Sequence, residues 1–154
     1  MMEATPNLVA QEVLEVVPLV MRAIRVQMRS QAAPGLSLPQ FHVLGFLDRN
    51  PGASLSQAAE YIGVTLPSMS KMVDGLVIEK LLTREFQPED RRRATLELTP
   101  QGRALLRSAR VSAQTHFADL FEMLPASRRA TVLQAMETLL SLFTSEREVL
   151  ESVR

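Results

Sequence analysis

The chain has 154 residues, 46% of them hydrophobic, and its 17 basic and 17 acidic side chains cancel at neutral pH. That length and apolar content suit one compact domain or a small lobe with an extension, and a neutral chain is no bulk polycation. The absence of cysteine excludes disulfides, cysteine-ligated zinc, iron–sulfur clusters and thiol oxidation switches. Charge is nevertheless unevenly placed. Between Lys80 and Arg110 stand eight basic and four acidic residues, so this segment carries +4 and the remainder −4. Any nucleic-acid contact has to arise from that local separation.

The first helix is expected over about Asn7 to Gln31, where Val9, Val13, Val16, Val17, Val20, Ile24 and Met28 recur at helical spacing. Ala33-Pro34-Gly35 breaks it. A second helix starts with Ser37 as cap and Pro39 in its first turn, sets Phe41, Leu44 and Leu47 on one side, and stops near Asn50-Pro51-Gly52. Ser54 caps a short third helix, Gln57 to Ile62, which Gly63 closes. The turn Gly63-Val64-Thr65 then leads into a fourth helix from about Leu66 to Glu79. Two short helices joined through a glycine turn form a helix-turn-helix pattern.

In the fourth helix Met69, Met72, Val73 and Leu76 follow the inward spacing, which leaves Pro67, Ser70, Lys71 and Asp74 outward. A small, polar face with one cation can approach base edges in the major groove. Downstream, Leu82 to Phe86 and Ala94 to Leu98 alternate as strands do, around a turn expected from Gln87 to Arg92. Arg91, Arg92 and Arg93 crown this ribbon, where arginine can meet phosphates or a narrow minor groove. Thr99 caps a long helix with Pro100 as its first residue, extending to about Met123. Pro125 and Ser127 break and restart the chain, after which Leu133, Met136, Leu140 and Phe143 make a further stripe. The terminal helices hold more apolar surface than a lobe of residues 36–99 needs, and a dimer through them is the economical outcome.

The run Asp90-x-Arg92-x-x-x-x-x-Leu98-Thr99-x-x-Gly102, together with Val64-Thr65-Leu66-Pro67-Ser68-Met69-Ser70-Lys71-Met72-Val73-Asp74, resembles the wing and recognition helix of the MarR (multiple antibiotic resistance regulator) family. The element order resembles that family over nearly the whole chain. The resemblance implies a mainly α winged helix-turn-helix protein with a small β-hairpin wing: a DNA-binding lobe at 36–99, flanked by helical dimerisation segments at 7–31 and 100–152. It further implies a homodimeric transcription regulator, a repressor on a pseudo-palindromic double-stranded operator, released by a small aromatic or anionic effector. A cytoplasmic location is expected separately, because no basic leader with an apolar run opens the sequence. Thr65, Pro67, Ser68, Ser70 and Lys71 would then occupy the major groove. Arg92 would work at the wing with Asp90 positioning it, Arg91 and Arg93 would touch phosphates, and Val13, Val17, Leu133, Met136, Leu140 and Phe143 would form the dimer seam.

Four positions depart from the family pattern: Lys80 stands where glycine is common, Val77-Ile78 replace a usually polar pair, and Leu66 replaces a frequently polar residue. A non-glycine residue at a left-handed helix end is strained, so the helix is expected to end differently here. An effector pocket is expected beside helices one and two, with Arg22, Arg25, Phe41 and His42 as its lining, because cations beside aromatic surface suit an aromatic carboxylate. No cofactor or metal is expected, nor a membrane segment. His42 and His116 lie on different helices with no nucleophile motif beside either, which argues against an enzyme. The other competing function is a ligand-binding or protein-partner module that keeps the fold without sequence-specific DNA binding.

Overall fold

The computed structural model describes residues 3–29 and 35–152, without the side chains of residues 91–92 and 146–152. The end of the expected first helix and the Ala33-Pro34 breaker lie outside the described residues. The chain forms two compact units, residues 1–114 and 115–154.

In the first unit α1 (Pro6–Gln27) is followed by α2 (Leu38–Arg49), the two-residue strand β1 (Ala53–Ser54), α3 (Leu55–Ile62) and α4 (Leu66–Ile78). Strands β2 (Leu82–Gln87) and β3 (Asp90–Leu98) then lead into α5 (Pro100–Glu122). Local chemistry explains most of these boundaries. Ser37 and Ser54 each form a complete capping box, with Gln40 and Gln57 returning a side-chain acceptor to the cap N–H. Gly63 closes α3 with a φ of 78°, a left-handed conformation that suits a residue without Cβ. Pro at the start of α1, α2 and α4 sits where its missing N–H costs nothing.

The three strands form one antiparallel sheet in the order β1-β3-β2, with Ala53 opposite Leu96 and Leu82 opposite Leu98. Sequence pattern alone leaves β1 as loop, because its pairing partner lies more than forty positions further along. The wing also differs from expectation. Pairing runs from Phe86 opposite Ala94 directly to Gln87 opposite Asp90, so the turn is Pro88-Glu89 and the arginine triplet belongs to β3 at a bulge. A bulge sends extra residues on one strand out of the ladder and re-aims them.

The core contains Val43, Leu44 and Leu47 of α2, Ala58 of α3, Met69, Val73 and Leu76 of α4, Leu82 and Leu96 of the sheet, and Leu106 and Ala109 of α5. Those α4 positions are the inward ones read from spacing, although Met72 is only half-buried. Asp48 ties α2 to α5, its two carboxylate oxygens lying 3.5 Å from Arg103 Nη1 and 3.2 Å from Arg110 Nη1. The base of the wing is closed around Thr99. Its hydroxyl donates to the Lys80 carbonyl at 2.6 Å and accepts from the Gly102 N–H at 2.9 Å. A Cβ on Gly102 would collide with the Leu81 carbonyl, so the start of α5 packs on backbone there.

Lys80 overturns the expectation of a different helix end. Its φ is 60°, the left-handed conformation that glycine usually supplies, and the Leu81 N–H closes on the Leu76 carbonyl at 2.9 Å behind it. The Thr99 bond to its carbonyl and the strand that follows hold Lys80 there against its own preference.

The second unit, residues 115–154, consists of the last part of α5 and α6 (Ala126–Ser152). Among its described side chains none is buried. Leu120, Phe121, Met123, Leu133, Met136, Leu140, Leu142 and Phe143 are all exposed.

Candidate nucleic-acid interface

Thr65 is the cap of α4, and that duty engages its side chain: Oγ1 accepts from the Ser68 N–H at 3.3 Å while lying 3.0 Å from Ser68 Oγ. Two of the residues assigned to the major groove are thus locked to one another. Capping holds the first turn of α4 rigid, and Pro67 in that turn adds a fixed φ. Thr65, Pro67, Ser68 and Lys71 are exposed and Ser70 is half-buried. Lys71 is therefore a cation standing one turn into the helix on a face otherwise made of short side chains.

On the wing, Arg93 is exposed and Asp90 opens β3 opposite Gln87. The side chains of Arg91 and Arg92 lie outside the described residues, but their backbone runs in β3 between those two points. Arg93 also lines a cavity of about 650 Å³ beside Ser54, Ser56 and Gln57 at the start of α3, Leu66 of α4, and Arg84, Phe86 and Thr95 of the sheet. Leu66 is 48% exposed and Phe86 59% exposed, so the lobe shows apolar as well as cationic surface here.

One contact at this face was not expected. Arg84 Nη1 lies 3.0 Å from Asp74 Oδ1, joining β2 to the outward face of α4. Both residues are visible in the sequence, but ten positions and a change of element separate them, so no periodicity reports the pair.

Of the four residues expected to line an effector pocket, Arg25 alone lines either the cavity beside Arg93 or a second one. A cavity of about 520 Å³ is lined by Arg25, Arg29 and residues Gly35 to Pro39, a set that includes neither Arg22, Phe41 nor His42. Arg22 is exposed on α1, and Phe41 packs half-buried against the core. The His42 ring centre is 6.0 Å from that of Phe41. Partial burial, with Arg49 adding a smaller repulsion, holds the His42 imidazole below its usual pKa. Arg49 itself donates to Tyr61 Oη at 3.0 Å, and Tyr61 stacks on Phe46. Among the described residues no helix is long and apolar enough to cross a membrane.

A helix-turn-helix made by α3 and α4, followed by a β2–β3 hairpin and backed by a three-stranded sheet, is a winged-helix lobe. The sequence model of the MarR family matches residues 35–93, so this lobe is similar to those of MarR-family transcription regulators.

The chain is 30% identical over 106 residues to a protein of Thauera aromatica described as a transcriptional regulatory protein for the hcr operon, an alignment covering 69% of this chain and 61% of that relative. Among solved structures it resembles a mutant MarR from E. coli, with a TM-score of 0.77 at 21% identity over 90% of this chain and 99% of that one. RV1404 from Mycobacterium tuberculosis is similar as well, with a TM-score of 0.74 at 23% identity over 92% and 96% of the two chains. The transcriptional repressor CouR, solved on a 23-mer DNA duplex, matches with a TM-score of 0.70 at 29% identity over 90% and 99%.

Proposed function

We propose that this protein is a DNA-binding transcription regulator that acts as a homodimeric repressor. The observation that carries the reading is the outward face of α4, where capped, short side chains and Lys71 stand exposed beside a wing whose β3 backbone carries three consecutive arginines. Small residues let a helix approach the groove floor, and a single lysine can reach guanine. The arginines at the bulge supply the cations that a phosphate backbone attracts. CouR, solved on duplex DNA, shares this fold.

Dimerisation is inferred from the exposed apolar side chains of α1 and α6. Val17 of α1 and Leu133, Met136, Leu140 and Phe143 of α6 all face solvent in the single chain, and Val13 is half-buried. Soluble proteins rarely leave patches of that size uncovered. For the effector, the cavity holding Arg25 and Arg29 favours a small anionic or aromatic molecule that changes operator affinity.

The test is selection of duplexes from a random pool, followed by titration of the best one. Lys71→Ala is expected to lose discrimination of roughly 1–3 kcal/mol between the selected duplex and random DNA. Arg92→Ala is expected to weaken binding to both and to lower the salt slope by about one unit. Footprints should show half-sites about 10 base pairs apart. A pool that yields no preferred duplex would overturn the proposal.

A further inference from the structure

The recognition helix carries a carboxylate on the very face that would meet a polyanion. Asp74 lies on the outward side of α4 and its side chain is 56% exposed. Left to itself it would repel phosphates or, as an acceptor, read the amino group of cytosine. Its surroundings indicate another role. Arg84 of β2 meets it through Nη1 at 3.0 Å. Nε and Nη2 are both buried with no hydrogen-bond partner, so Asp74 is the acceptor that the protein gives this cation. Arg84 sits opposite Leu96 of β3, one of the fully buried side chains of the core, which anchors it in the sheet rather than at the hairpin tip.

We propose that Asp74 is a positioning residue for DNA recognition: through Arg84 it holds the wing at a fixed spacing from the recognition helix, and it reads no base itself. This rests on the DNA-binding reading above. The physical reason is that α4 and the wing would address different parts of the duplex, so their mutual spacing decides whether both engage together. The pair joins α4 directly to a wing strand. Neutralising Asp74 by Arg84 also removes the repulsion that a free carboxylate would exert on DNA. Asp74 is the exposed partner and Arg84 the buried one, so Asp74→Ala leaves a largely buried cation without its acceptor and is expected to cost some stability. Binding is therefore compared at temperatures where unfolding curves show each variant folded.

The experiment is a double-mutant cycle on the full chain, using a duplex recovered by selection and a random duplex as control. Asp74→Ala and Arg84→Met, which keeps the apolar stem, are each expected to weaken binding to the selected duplex about tenfold. The double variant should be no weaker than the weaker single one, because both remove one shared contact. Asp74→Glu is expected to retain most of the affinity. Repeating the selection with Asp74→Ala should return the same base preference at every position, which a base-reading carboxylate would not allow.

A preference altered at one base pair, effects that multiply in the double variant, or unchanged affinity in Asp74→Ala would each overturn the proposal. Should Arg84→Met fail to fold, Asp74→Ala and Asp74→Glu decide the matter through affinity and base preference. A wild-type chain that prefers no duplex would overturn the DNA-binding reading itself, and this inference with it.

Discussion

The winged-helix lobe and α6 use the same kinds of apolar side chain to opposite effect. In the lobe, Leu44, Leu47, Leu76 and Leu96 are almost wholly removed from water, whereas Leu140 of α6 is 70% exposed and Leu133 61%. Caps and a sheet add further constraint to the lobe, while α6 is a single helix of 27 residues with exposed flanks. The difference teaches that hydrophobic pattern is a statement about burial only when a partner surface exists within the same chain. One region is finished by its own core, and the exposed stripe of the other is the surface that the proposed dimer would cover.

Substitutions in the two regions should therefore fail in different ways. The largest effect is expected for Leu76→Ala, which opens a cavity in the lobe core and should cost about 2–5 kcal/mol in denaturant unfolding. Leu140→Asp should leave the far-ultraviolet dichroism of the lobe intact and yet convert the sedimenting species from dimer to monomer. A carboxylate in an apolar seam costs several kcal/mol as an order of magnitude. An unchanged dimer in that variant would break the comparison, because α6 would then have no need of a partner.

A third substitution sharpens the comparison by stabilising the lobe. Lys80→Gly relieves a left-handed non-glycine residue, a conformation that costs roughly 1–2 kcal/mol, and glycine's greater unfolded-state freedom returns part of this. A net gain of about 1 kcal/mol corresponds to a rise of about 2–4 °C in Tm for a chain of this length. Leu140→Gly, on the exposed helix, should show no such gain.

The smallest effect concerns pH. Because the folded protein holds His42 below its ordinary pKa of 6.5, the unfolded chain takes up the proton first. The neutral-ring contribution to stability is thus complete above that value and is lost as pH falls through the folded pKa. His42→Gln should flatten the shallow decline of Tm between pH 7 and pH 5. An identical slope in the variant would assign the decline to other groups.

How much of this was legible in the sequence follows from the distance over which each signal acts. Ser37, Ser54, Gly63 and Thr99 mark helix ends through contacts within three or four residues, and their positions were readable directly. The fold and the order of its elements followed from those marks and from spacing. What escaped depends on partners far along the chain. The strand β1 exists because β3 offers it a ladder, and Asp48 finds Arg103 and Arg110 at separations of 55 and 62 residues. Lys80 shows a different limit, since its intrinsic preference opposed the conformation that the Thr99 bond and the neighbouring strand impose. Arg91 and Arg92 fall in the turn that alternation suggests but belong to β3, because a bulge leaves no trace in alternation.

The closure around Thr99 has a consequence for how such a lobe can change. Lys80 and Thr99 are joined at the hydroxyl, Thr99 N–H donates to the Leu81 carbonyl at 3.1 Å, and Leu82 pairs with Leu98 immediately beyond. The hairpin therefore leaves and re-enters the body through one stapled gate, its strands stay paired up to Phe86 opposite Ala94, and the tip beyond is a short loop whose ends are already held together. Lengthening such a loop costs little, since closure entropy grows only with the logarithm of its length. The wing is in this sense an exchangeable cartridge: its tip can be lengthened, shortened or recharged while the helices behind the gate keep their packing.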